Sequence, residues 1–514
     1  MTRDFRLFWL GQTTSRFGGA VTTVALPLAA ITVLQASTFQ VAMLAAAVWL
    51  PWLLAGLPAG VLVDRSRSRR HILIASDLVA AALFVSVPVA AWLGVLTIAH
   101  LLVVALLTGL VSVFVETAGQ VYLAELLPAE RLAAGNARLV GADSAAKVAG
   151  PGVGGLIAQV FGAVAGLLVD ALTFVISAAC MIAVRHREPA TPQRTAPALA
   201  GTPGGASTPA HGGATPPGGT TAHDAATTGG GTAHSGTTPT DEATSHDGTA
   251  PGDEATAHSG MAAIAEGLRF VVRDPLLRVM TVYGAAANLA LNGYSAIQML
   301  FLVRENGADP GVAGLLIAII SAGGVAGAAV AGPLGRRFGT ARTMLAVLVL
   351  TAPFALLVPL ARPGAGLAPA VVGGLVLTTG LVANNVLKGA FRQAYVPRRL
   401  LGRVINSMQL LNYGAIPVGA LIGGALGTAL GLRPTMWIMA ASIVAATGLL
   451  FIGPLKHLRD LPTAPAASPA GGRTTTDEQA IGDERASTDE QTTGRPANAT
   501  EQNATERDDR LTAV

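Results

Sequence analysis

Residues Gly60 to Arg70 read GVLVDRSRSRR, a short basic stretch with one carboxylate, Asp64, set between two long apolar runs, Phe39 to Val63 and Ile72 to Val95. An apolar run of about 18 residues or more, at roughly 1.5 Å of rise per residue, crosses a hydrocarbon core of about 30 Å. The stretch is therefore a loop joining two membrane spans on one side. Its arginines, Arg65, Arg67, Arg69 and Arg70, mark that side as cytoplasmic, because basic residues in short loops stay on that side of the bilayer.

Composition leads to the same class. Over 514 residues, 51% hydrophobic and only 12% charged is too apolar for an ordinary soluble chain, and a polytopic membrane protein is expected. The formal net charge of +4 does not point to nucleic acid, since the basic residues sit in short loops between apolar runs. The single cysteine, Cys180, excludes an internal disulfide and a cysteine-based metal site, and no metal or cofactor is expected. Lysine occurs only at Lys147, Lys388 and Lys456, and the Ala, Gly and Arg usage suits a high-GC bacterium.

Working outward from residues 60–70, six spans are expected at about Leu7–Leu34, Phe39–Val63, Ile72–Val95, Leu101–Leu123, Val140–Val160 and Val164–Val184, the last two divided only at Gly162. Six more follow, at about Val279–Val303, Val312–Leu334, Met344–Leu360, Leu367–Ala390, Val404–Leu430 and Trp437–Ile452. The fold expected is all-α with twelve transmembrane helices in two six-helix halves. Most loop arginines then fall on one face, including Arg3, Arg6, Arg131, Arg138, Arg336, Arg337, Arg342 and Arg403, while Arg304, Arg362 and Arg433 occupy the other. Both termini are expected in the cytoplasm, without a cleaved leader.

The domain plan is a first half over 1–187, a linker over 188–260, a second half over 261–460 and a tail over 461–514. Linker and tail are rich in Gly, Ala, Thr, Pro and Asp, cannot bury a core, and are expected to be disordered and cytoplasmic. His211, His223, His234, His246 and His258 recur in the linker at intervals of 11 or 12, which repeat drift explains better than metal binding. Residues Met261 to Asp274 regain helical periodicity and read as an amphipathic interfacial helix. The halves also echo each other: Pro128, GNARLV and GPGVGG are matched at similar distances by Pro397, GRVINS and IPVGALIGG. Paired six-span halves are a common plan for secondary transporters, with the substrate site at their interface near mid-membrane.

On these residues the chain resembles the major facilitator superfamily across its membrane portion. That family carries G-x-L-a-D-r-x-G-r-k between spans two and three, matched here by Gly60, Leu62, Asp64, Arg65 and Arg69, with Arg67 replacing the second glycine. A degenerate copy, GPLGRRFG from Gly332 to Gly339, has Arg336 in place of the carboxylate. The resemblance implies that Gly60, Asp64, Arg65 and Arg69 form a conformational latch, with Asp64 against the start of span eleven near Gly402 to Val404, where free amides attract negative charge. Span five carries Gly150, Pro151, Gly154 and Gly155, similar to part of the family's antiporter motif, a resemblance that favours export over uptake; ordinary close helix packing is the alternative. The phrases VDALTFVISA, AEGLRFVVRDPLLR and LLGRVINSMQLLNYGAIPVGALIGG look most like the branch containing macrolide efflux proteins and the enterobactin exporter. That branch implies drug, antibiotic or siderophore export against protons.

The family's cavity helices, spans one, four, seven and ten, each carry polar residues at helical spacing. Span one has Gln12, Ser15, Arg16, Gly19 and Thr23, and span four has Thr108, Ser112, Glu116 and Gln120. Span seven has Thr281, Asn288, Asn292 and Ser295, and span ten has Asn384, Asn385, Lys388 and Arg392. The substrate cavity is therefore expected at Gln12, Arg16, Ser112, Glu116, Asn288, Asn292, Asn384 and Lys388. Arg16 and Glu116 lie roughly 15 Å deep at helical rise, where an ionisable group needs a partner or a task. They are expected to meet, with Glu116 as proton carrier and Asp143 as a second candidate. Asp143 and Lys147, four apart, are expected to neutralise each other, and Asp77 and Asp170 to serve structure outside the cavity.

The reading favoured by these residues is proton-coupled export of amphipathic small molecules by alternating access. An uptake permease of the same fold, or a non-transporting membrane sensor or scaffold, are the alternatives. An enzyme is not expected, since no GxxxxGK[ST], His/Cys cluster or nucleophile–base spacing occurs. The partners implied are a small molecule, protons and the bilayer, with no nucleic acid.

Overall fold

A computed structural model describes residues 2–66, 68–185 and 266–462, without the side chains of 56–61, 64–65, 398–399 and 406. The linker with its histidines, the tail from 463, Arg67 and the surroundings of Gly60, Asp64 and Arg65 lie outside that description. No strand occurs among the described residues. A bilayer offers no water to peptide groups, so each apolar run closes its backbone hydrogen bonds internally and becomes a helix.

The first half holds α1 (Arg3–Thr32), α2 (Thr38–Arg65), α3 (Arg69–Trp92), α4 (Ile98–Leu126), α5 (Ala129–Phe161) and α6 (Ala163–Ala183). A short helix, α7 (266–273), opens the second half. It is followed by α8 (Pro275–Leu300), α9 (Pro310–Phe338), α10 (Thr340–Thr351), α11 (Ala368–Tyr395), α12 (Arg398–Leu430) and α13 (Leu432–Gly448). By length and composition, ten helical segments among the described residues are fit to cross a membrane. Of the twelve expected spans, α1 and α5 are not among them; they carry Arg16, Asp143 and Lys147 and many glycines. Large apolar side chains such as Leu54, Trp92, Leu172 and Leu350 point outward, as a lipid-facing surface requires.

Helix starts follow local chemistry. Ser37 and Gln40 form a reciprocal capping box at α2. Asp274 accepts from the amides of Leu276 and Leu277, both at 2.9 Å, with Pro275 at the first helical position of α8. The expected ninth span changes winding midway: from Ala352 to Leu360 it is a 3₁₀ helix, where Pro353 and Pro359 lack the amide hydrogens of a regular α-helix.

The two-half echo is a property of the backbone. Pro128 precedes α5 and Pro397 precedes α12; both helices run 33 residues. Each stops at one glycine with φ 88°, Gly162 and Gly431, so α6 and α13 begin after a single-residue corner that disfavours a side chain. Gly154 and Gly155 stand 26 and 27 residues after Pro128, as Gly423 and Gly424 do after Pro397. In each pair the first glycine faces a helix of its own half: Gly154 lies on Val21 of α1, and Gly423 on Gly293 of α8. The second faces the other half. A Cβ on Gly155 would lie 2.7 Å from the Cα of Gly314 on α9, and one on Gly424 would lie 2.3 Å from the Cβ of Ala42 on α2.

These contacts, with the cluster of Ala42, Ala46, Ala296 and Ala420, join the halves near the end of α5 and α12 remote from the basic face. At the basic face the contacts among the described residues tie each half to itself. Arg69, expected in the latch, pairs with Glu125 of α4 at 3.4 Å. Arg70 donates to the carbonyls of Met181 and Ile182 at 3.0 and 2.7 Å, closing the last turn of α6. α7 packs on the start of α12: Val271 is buried beside Val404 and Met408, and Glu266 pairs with Arg403. Asp460, beyond α13, accepts from the amide of Thr340 at 2.9 Å. It thereby brings a carboxylate to the degenerate GPLGRRFG loop that lacks its own.

Candidate functional site

The polar residues of α1, α4 and α5 converge. Arg16 donates from Nη2 to Glu116 Oε2 and from Nη1 to Asp143 Oδ1, both at 3.2 Å. Lys147 Nζ lies 2.7 Å from Asp143 Oδ2, and Gln120 donates to the other oxygen of Glu116 at 3.2 Å. Two separate pairs, one expected from matched depth and one from helical spacing, are thus one chain, Glu116–Arg16–Asp143–Lys147, with Arg16 as the bridge. Two cations and two anions make the set neutral, which lowers the cost of holding it in the membrane.

This set stands where two cavities meet. A cavity of about 680 Å³ is lined by Gln12, Arg16, Glu116, Gln120, Asn136 and Asp143, toward the basic face. A deeper one of about 560 Å³ shares Gln12, Arg16 and Glu116 with it. Its wall adds Ser112 and Asn292, and a largely apolar surface that includes Trp49, Trp52, Phe84 and Phe174. Trp49 and Trp52 of α2 meet Tyr413 of α12 at ring distances of 5.9 and 6.1 Å, an aromatic contact between the halves. Sequence reasoning passed over these rings. Tryptophans three apart on span two were a readable sign, since i and i+3 share a helix face.

Of the expected cavity residues, Gln12, Arg16, Ser112, Glu116 and Asn292 line this paired space; Asn288, Asn384 and Lys388 line neither cavity. Asn288 is covered by α12, donating to Asn412 Oδ1 at 3.4 Å. Asn384 is buried, and its Oδ1 has no hydrogen-bond partner. Lys388 sits 5.5 Å from the ring centre of Tyr283. A polar stripe locates a helix face but not what packs over it. Asp170 departs from expectation in the other direction: it lies on the wall of the deeper cavity. Asp77 is buried away from both. Gly150, Pro151, Gly154 and Gly155 serve close helix contact with α1 and α9.

The sequence profile of the Major Facilitator Superfamily matches residues 8–301 and 282–483. The chain belongs to that superfamily. Within it, similar proteins include the multidrug efflux pump Tap of Mycolicibacterium fortuitum, 26% identical over 88% of this chain and 96% of that protein. The Mycobacterium tuberculosis protein of the same name is 27% identical over 88% of this chain and 93% of its own length. Among solved structures, the nucleoside transporter NupG superposes with a TM-score of 0.64 at 12% identity, covering 88% of this chain and 99% of that one. A bacterial homologue of the iron transporter ferroportin, in an inward-facing state, gives 0.60 at 15% identity over 88% and 98%. At such identity these two show the family's fold and no more. The chain is a multi-pass membrane transporter of the superfamily.

Proposed function

We propose that this transporter exports amphipathic, drug-like small molecules in exchange for protons, with the basic face and both termini in the cytoplasm. The observation that carries the reading is the neutral set Glu116–Arg16–Asp143–Lys147 at the junction of the two cavities. The near full-length likeness to proteins named multidrug efflux pumps supports export. With the halves joined at the end remote from the basic face, the cavities are open to substrate from the cytoplasm. The aromatic and aliphatic wall of the deeper cavity receives an apolar body, and Arg16, Gln12, Ser112 and Asn292 receive its polar groups.

Glu116 is the proton carrier in this scheme. While ionised, Glu116 offers its carboxylate to a donor or cationic group of the substrate; protonation withdraws that acceptor, leaves Arg16 to Asp143 and breaks the neutrality that steadies α1 against α4. Substrate and proton then compete for the same carboxylate, which is the condition for exchange. Proteoliposomes measured for substrate and proton flux together test this: Glu116→Gln should bind substrate but lose pH-driven export. Coupling at normal stoichiometry in that variant would remove Glu116 from the role.

A further inference from the structure

Asp170 on α6 stands apart from the Arg16 set. It is fully buried, yet reaches the wall of the deeper cavity. Thr22 of α1 donates to its Oδ2, and Thr173 one turn along α6 lies 3.1 Å from its Oδ1. No lysine, arginine or histidine pairs with it among the described residues. The charges on helices packed against α6 are engaged or distant. On α1, Arg16 is held by Glu116 and Asp143; on α5, Asp143 and Lys147 belong to the same set. On α3, Asp77 lies buried against Ser177, and Arg69, Arg70 and His71 occupy the first turn. The remaining charges of α1 and α5 stand toward the basic-face ends of those helices.

Space excludes a cation between α1 and this carboxyl. A Cβ on Gly18 would lie 2.3 Å from Asp170 Oδ1 and 2.0 Å from Thr173 Oγ1, so neither a metal ion nor a water fits there. An ionised carboxylate held dry against two hydroxyls, without a counter-ion, is costly; a protonated one is not. We propose that Asp170 is a second proton-exchanging residue, protonated while α1 is clasped on α6 and releasing its proton to water in the deeper cavity when α1 moves away. The inference rests on the proton-coupled reading above and adds a site to it. α1 carries both Thr22 and Arg16, less than two turns apart. The charge on Asp170 therefore bears on where Arg16 stands: its ionisation draws water to the α1–α6 contact and loosens the helix that holds the guanidinium.

Infrared difference spectroscopy on the full chain in lipid nanodiscs reads this without transport. The carbonyl stretch of a protonated carboxyl should be present at neutral pH, be removed by Asp170→Asn, and survive Glu116→Gln. In D₂O it should shift quickly, because the group borders the cavity, whereas the component removed by Asp77→Asn should shift slowly. Thr22→Val keeps the carboxyl and should change the frequency of the same band, which covers the case in which Asp170→Asn fails to insert. A loss of carboxylate bands instead in Asp170→Asn, a band abolished by Na⁺, or a frequency indifferent to Thr22→Val would overturn the assignment. In proteoliposomes Asp170→Asn should slow turnover roughly tenfold with KM retained, and unaltered turnover would overturn its part in coupling. A protein that shows the band yet exchanges no protons for substrate keeps this site protonated and refutes the exporter reading. A coupled exporter without the band does the reverse.

Discussion

In the first half of the molecule Arg16 is held between Glu116 and Asp143, with Lys147 completing a neutral set at the cavity junction. In the second half Lys388 and Arg392, one turn apart on α11, have no carboxylate partner among the described residues, and Lys388 rests on the ring of Tyr283. Amides take the place of charges there, Asn288 bonding Asn412. Yet the backbones correspond closely, from the proline before each 33-residue helix to the glycine corner after it. The repeat thus preserves packing positions, where a change of one carbon is felt by a neighbouring helix, and leaves the polar positions free to diverge.

The correspondence breaks most severely if the paired glycines are filled. Gly155→Leu or Gly424→Leu should each destabilise the contact between halves by about 3 kcal/mol, the upper range for overpacking a tight site. Thermal unfolding in detergent measures it. Gly119→Ala, with no neighbour within 4 Å of its Cβ position, should leave stability unchanged or raise it by up to ~1 kcal/mol. A loss from Gly155→Leu but none from Gly424→Leu would mean that the repeat is a likeness of sequence alone.

The chemical contrast is tested by the cations. Arg16→Ala leaves Glu116 without its cation and Asp143 with Lys147 only, and should reduce export roughly a hundredfold, about 3 kcal/mol once partial exposure is allowed for. Lys388→Met removes only the contact of the ammonium with the Tyr283 ring and should cost only a few-fold, since no ion pair is lost. Export assayed as drug accumulation in an efflux-deficient host compares the two, with membrane abundance checked. Equal losses would show that the halves share the chemistry after all. The smallest effect is expected at the basic face, where Asp460→Ala removes a helix cap from α10 and should lower stability by about 1 kcal/mol with export intact.

Much of this was legible in the chain. The span positions, the division at Gly162, the meeting of Arg16 and Glu116 and the superfamily all follow from runs, spacings and motifs within single helices. The residues that escaped are those whose meaning lies in another helix. Asp143 was read with Lys147, four residues away, and its second partner on α1 is 127 positions distant. Asp170 was read as structural because α6 is outside the expected cavity set, but Thr22 and Gly18 bring α1 against it and the cavity reaches its wall. Lys388 and Asn288 were on the right faces, and Tyr283 and Asn412 cover them.

What the sequence alone determined was that its apolar runs become helices arranged in two halves, ten of them among the described residues fit to span a membrane, because a bilayer requires backbone hydrogen bonds to be closed within each span and a span's length is fixed by the hydrocarbon thickness. Only the tertiary structure decided which carboxylates share Arg16, which one is left with hydroxyls alone, and which polar faces open on a cavity. Those outcomes turn on helix rotation and on approaches of a few ångström, as at Gly18 and Gly155. Such distances arise when all the helices pack at once, and no spacing along a single helix contains them.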